Sequence, residues 1–189
     1  MSYNPNDTSV ESNGIFGLPH SVDEAKVVLM PVPWEATVTY KTGTSLGPHL
    51  IRQYSHQLDI YHPDFPDLWH AGIAEISEDE KLRQLNQSTQ RLAQKVIKGI
   101  EKGEDERQYS QIIDQVNTSC QLMVDTVKHQ VEEPVRNNKI VGLIGGDHSI
   151  SLGLIQTLHK QYPKFTVLQI DAHLDLRVAY QSFTYSHAS

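Results

Sequence analysis

The sequence predicts an α/β layered fold with a mainly parallel sheet. Short β-branched runs alternate with segments whose apolar residues recur at helical spacing, the pattern of strands joined through helices. Clusters of polar, metal-ligand side chains follow directly after two of the apolar runs, which is where open α/β sheets place their sites. The chain has 189 residues, enough for one domain with a substantial core.

The elements follow in order. Met1 to Asn13 is polar, with neither a basic start nor an apolar stretch, so residues 1–15 read as a flexible leader rather than a secretory signal, and 16–189 as the α/β domain. Lys26-Val27-Val28-Leu29-Met30-Pro31-Val32 reads as a buried first strand closed by prolines. The loop from Pro33 to Gly47 follows, and its Trp34, Glu35 and Tyr40 are either structural or within reach of a site. Pro48 suits the first turn of a helix that Leu50-Ile51-Arg52-Gln53-Tyr54 continues. Tyr61 to Trp69 is interrupted by prolines and reads as irregular, and Ala71 to Ile76 as a strand.

Residues 78–133 form a helical segment. Leu82, Leu85, Leu92, Val96, Ile97 and Ile100 make one apolar stripe. Tyr109, Ile112, Ile113, Val116, Cys120, Met123, Val124, Val127 and Val131 make a cleaner one. The charged stretch Lys102 to Arg107 links them, and Pro134 predicts a stop after the second. Cys120 lies on the apolar stripe and reads as a small buried residue rather than a nucleophile. The stripes predict helices that pack locally, in preference to a surface for a partner.

Ile140 to Ile144 reads as a further strand, running into Gly145-Gly146-Asp147-His148-Ser149. Ser151 to Gln161 reads as a helix and Phe165 to Ile170 as a strand. Directly after that strand comes Asp171-Ala172-His173-Leu174-Asp175. In an extended chain alternate side chains point the same way, so Asp171, His173 and Asp175 are expected on one face. Two carboxylates and an imidazole together suit a divalent cation with O and N ligands, and carboxylates so close repel one another without one. His148, behind two glycines at a second strand end, is the fourth candidate ligand. Asp147 reads either as a carboxylate holding a metal-bound imidazole or as a cap of the following helix. His187 is by spacing an ordinary loop histidine, but its loop is long enough to fold back over the site.

Bulk properties exclude several classes. The formal charge of −7 and the scattered Lys and Arg residues argue against nucleic acid as a partner. A single cysteine excludes an internal disulfide and fits a reducing compartment. No run is long and apolar enough for a membrane helix, and a cytoplasmic location is expected.

At Gly-Gly-Asp-His-Ser 145–149, Asp-Ala-His-Leu-Asp 171–175 and Ser-His-Ala-Ser 186–189, the chain resembles the ureohydrolase family of arginases and agmatinases. Gly43-Thr44-Ser45-Leu46-Gly47-Pro48 and Ile51-Arg52 also look like that family's early pattern, and the Ser-His-Ala-Ser form looks agmatinase-like. The resemblance implies a three-layer α/β/α arginase-like fold and a dinuclear manganese (Mn2+) centre, with nickel (Ni2+) used by some guanidine-hydrolysing members. It implies His148, Asp171 and Asp175 on one ion, His173 and a bridging Asp171 on the other, and His187 as the catalytic proton-transfer histidine. The implied reaction is hydrolysis of a guanidinium C–N bond in a small cationic substrate such as agmatine, giving urea and an amine. Guanidine itself is the alternative substrate. Trimers or hexamers are implied for a full-length parent. The family's later Asp-x-Asp motif has no counterpart up to Ser189, so the chain is expected to be a C-terminally truncated fragment that binds metal weakly and hydrolyses little. The alternative from another class is a catalytically dead relic serving as an interaction module.

Overall fold

A parallel sheet of three strands, ordered β2–β1–β3, frames the molecule: β1 spans Val27–Pro31, β2 Ile73–Glu75 and β3 Ile140–Ile144. The computed structural model describes residues 14–58 and 60–189. The expected leader thus lies outside the described residues up to Asn13, and Ile15 is already fully buried. The most apolar run takes the centre of the sheet. Val27 of β1 pairs with Ile73 on one side and Ile140 on the other. Val28, Met30 and Val32, which share one face by the two-residue period, are wholly buried.

Helix α1, Gly47–Ser55, carries Pro48 in its first turn as expected. Helix α2, Glu80–Glu101, starts at Asp79, whose carboxylate accepts from the Lys81 N–H at 2.9 Å. Its buried face includes Leu82, Ala93, Val96 and Ile97. Helix α3, Ser110–Arg136, packs against α2, against β3 and against α4, Ser151–Gln161. The stripe from Val116 through Cys120, Met123, Val124 and Val127 to Val131 is sealed from solvent, so the amphipathic faces of the helical segment are spent inside this chain. Between α2 and α3 the charged linker forms a short 3-10 turn capped by Asp105. Among the described residues no helix is long and apolar enough to cross a membrane.

Two local expectations need correction. Pro134 lies inside α3, which runs on to Arg136. Proline loses the backward-bonding N–H and its ring crowds the carbonyl four residues back, but its own carbonyl still serves the helix end. Asn138 takes φ 56°, its N–H bonds the Val135 carbonyl at 2.9 Å, and the Lys139 N–H bonds the Pro134 carbonyl at 3.0 Å, a closed C-terminal turn. The second correction is larger. Phe165 to Ile170 forms no strand, and Leu168 and Ile170 are 83% and 92% exposed. A strand exists only through a neighbour's N–H and C=O groups. Among the described residues this segment makes no ladder with the open edge of β3 or with any other strand, so it is left without those partners.

Burial fixes the chemistry of Cys120. Its thiol is pushed up to about 12, mainly by desolvation, with the Asp147 carboxylate adding to the effect. At pH 8 iodoacetamide is expected to label the folded chain about a thousandfold more slowly than the denatured one, as mass spectrometry would read. The stability consequence has a definite sign. The unfolded thiol ionises near its ordinary value of 9.0 while the folded one stays protonated, so this contribution is intact below that pH and falls as pH rises towards 12.

Candidate metal centre

The site begins where β3 ends. The chain turns at Gly145-Gly146, and the Asp147 N–H donates to the Trp34 carbonyl at 2.8 Å, tying this turn to the extension of β1. The Asp147 side chain caps the 3-10 turn His148–Ile150, accepting from the Ser149 N–H at 3.0 Å, which favours the capping role of the two open to it. Desolvation pushes the Asp147 carboxyl up to about 6 against the lowering effect of its Ser149 bonds, and nearby Glu35 adds to the rise. Its Oδ2 has no hydrogen-bond partner among the described residues.

His148 is thereby aimed away from the core. Its Nδ1 lies 2.6 Å from Asp175 Oδ2 and 3.5 Å from Asp171 Oδ2. One ligand atom from each of His148, Asp171 and Asp175 falls within 4.8 Å of the others. The two aspartates do not converge by strand alternation. The His173 N–H donates to Asp171 Oδ1 at 2.7 Å, which bends the chain at 171–173, and Asp175 takes φ 46°, so 171–175 is not extended. With no ladder holding the backbone extended, the short aspartate side chain bonds its own backbone instead. That bond, chiefly, holds the Asp171 carboxyl below the usual carboxylate range, with His148 and His173 assisting and slight burial opposing.

The turn places His173 beside this trio rather than within it. Its ring is mostly exposed, with Nδ1 3.3 Å from Asp171 Oδ1. The two oxygens of Asp171 therefore face two different histidines. His187 is half-buried and packs edge-on against Tyr180, ring centroids 5.7 Å apart. Burial holds its imidazole below the ordinary value, opposed by the Asp175 carboxylate.

These groups line one cavity of about 1010 Å³ together with Val38, Thr39, Tyr40 and Lys41 of the first long loop. Tyr40 stands at its rim, whereas Trp34 is fully buried and Glu35 is turned into the protein, accepting from the Gly43 N–H at 2.7 Å. Sequence reasoning missed Lys41, Arg177 and Tyr180, although the last two follow the aspartate motif closely and Arg177 stacks 4.6 Å above the Tyr180 ring. The donor set fits a divalent cation: one imidazole nitrogen and two carboxylates, whose mutual repulsion a cation relieves.

Comparisons with known proteins agree on a family. The model of the Arginase family matches residues 25–189. An N(1)-aminopropylagmatine ureohydrolase of Synechocystis sp. is 28% identical over 174 residues, covering 89% of this chain and 46% of the relative. An agmatinase of Bacillus cereus is 25% identical over 169 residues, covering 89% and 47%. The crystal structure of the agmatine ureohydrolase of Thermoplasma volcanium superposes with a TM-score of 0.66 at 25% identity, over 93% of this chain and 47% of that one. The chain spans about half the length of the curated relatives it matches.

Proposed function

Since the chain belongs to the arginase family, we propose that it carries part of a metal-dependent guanidino-compound hydrolase centre acting on the C–N bond of a linear amidine, agmatine before guanidine. The convergence of His148, Asp171 and Asp175 in a cavity that His187 also lines carries this reading. His148, Asp171 and Asp175 would hold one manganese ion, and His173 with the second oxygen of Asp171 would face another. A bound divalent cation supplies Lewis acidity and water of lowered pKa at neutral pH. The protein's own part is electrostatic and protonic. The carboxylates of Asp171 and Asp175 attract a guanidinium. His187, kept neutral by burial, accepts a proton and returns it to the leaving amine. The single buried cysteine supports a cytoplasmic location.

Ligand supply limits the activity expected. Manganese prefers octahedral coordination, and the few donors here leave it under-ligated. Purified chain loaded with manganese or nickel should bind the ion weakly and release only traces of urea or ammonia from agmatine, arginine and guanidine. Robust turnover would overturn the expectation of weak activity, and a clear preference for arginine would count against the agmatinase-like reading.

A further inference from the structure

We propose that α2 is the positioning element of the loop that walls the metal cavity, acting through a ladder of side-chain amides, Asn86, Gln90 and Gln94. The three residues are four apart and so lie along one face of the helix. All of them reach the same loop. Asn86 Oδ1 accepts from the Glu35 N–H at 2.8 Å. Gln90 Nε2 donates to the Glu35 carbonyl at 3.3 Å and to its Oε1 at 3.2 Å. Gln94 Nε2 donates to the Val38 carbonyl at 2.8 Å.

Glu35 carries the restraint onward. Its buried carboxylate accepts from the Gly43 N–H at 2.7 Å and the Ser45 N–H at 3.3 Å through Oε2, while Oε1 takes the Gln90 amide. The ladder thus fastens the start of the loop at residues 35–38, and the carboxylate it holds fastens the end at 43–45. Between these points lie Thr39, Tyr40 and Lys41, which line the cavity and belong to no helix or strand. Thr44 Oγ1 then donates to the Gly146 carbonyl at 3.1 Å, joining the loop to the turn that carries His148. A loop without secondary structure must find partners for its backbone groups elsewhere, and here α2 supplies them. Plain packing would scatter such bonds over several elements. Their concentration on the two ends of a cavity-lining segment makes the helix a gauge of how far the wall stands from the metal ligands, and so of the guanidino ligand admitted. This last step rests on the function proposed above.

The test removes the donors without removing volume. Gln90 and Gln94 are only partly buried, so Gln90→Met with Gln94→Met should leave the melting transition cooperative. Hydrogen exchange over residues 36–46 is expected to quicken about tenfold, with manganese affinity unchanged. Agmatine affinity of the manganese-loaded chain, by calorimetry, is expected to fall about tenfold. Gln90→Lys, which restores a donor towards Glu35, should recover slow exchange at Gly43 and Ser45. Unchanged exchange in the double variant overturns the proposal, as does faster exchange with agmatine affinity intact. A parent chain that binds manganese but no agmatine overturns the guanidino reading and the recognition half of the proposal with it. The exchange data still decide the clamp by themselves.

Discussion

Replacing His148 with alanine is expected to lower the manganese affinity of this chain by about 100-fold, and Asp175→Ala by a similar factor. The imidazole is the sole nitrogen donor of the convergent trio, and its Nδ1 lies 2.6 Å from Asp175 Oδ2. Removing either partner leaves a pair of donors, too few to offset the dehydration of a divalent cation. His173→Ala is the discriminating control. Its ring is mostly exposed and stands outside the trio, 3.3 Å from Asp171 Oδ1, so a loss of about tenfold or less is expected there. Titration calorimetry with manganese separates the variants. Equal losses at His148 and His173 would mean that the position between His173 and Asp171 contributes as much to metal binding as the trio. Acid should act with a defined sign. Protons compete with the metal, so affinity falls as pH falls. Asp171 stays ionised to lower pH than an ordinary aspartate, chiefly because the His173 N–H keeps its carboxyl below the usual range.

The residues that bind were easier to read than the geometry that gathers them. β1 and β3 were legible because each is a β-branched run closed by proline or glycine, and they do pair in parallel. The stripes of α2 and α3 were legible because full burial of a side chain the size of Val or Met is worth about 1.5–3 kcal/mol, which forces such residues onto one face. Phe165 to Ile170 has an equally strand-like composition and remains unpaired. Composition states that a segment suits a ladder; only another strand can supply it. Strand alternation placed Asp171, His173 and Asp175 together, whereas an aspartate turn sets His173 aside; the grouping of His148 with Asp171 and Asp175 is the one the family resemblance implied. Asn86, Gln90 and Gln94 lie outside the apolar stripe of α2, and nothing local marks an amide whose partner is a backbone group some 50 positions away.

Gly146→Ala is expected to cost about 3–5 kcal/mol of stability and to weaken metal binding in the same variant. Gly146 has φ 56°, a region that L residues enter at a cost of about 1–2 kcal/mol. Space is the larger obstacle. A Cβ there would stand 2.6 Å from the Trp34 carbonyl oxygen and 2.8 Å from that of Val32. Both are backbone atoms beside fully buried side chains, so no rotamer change can relieve the clash. The Trp34 carbonyl also accepts the Asp147 N–H at 2.8 Å. A methyl group wedged there pushes the turn off the end of β1, breaks that bond, and carries His148 away from Asp175. Gly103→Ala isolates the steric part. Its φ is also positive, at 81°, but nothing lies within 4 Å of the added carbon, so only a backbone cost of about 1 kcal/mol is expected, with metal affinity unchanged. Urea denaturation and manganese calorimetry on the two variants read both effects. If Gly146→Ala proved as stable as Gly103→Ala, the turn after β3 would have room to shift, and the close backbone approach could not be what fixes His148 in the site.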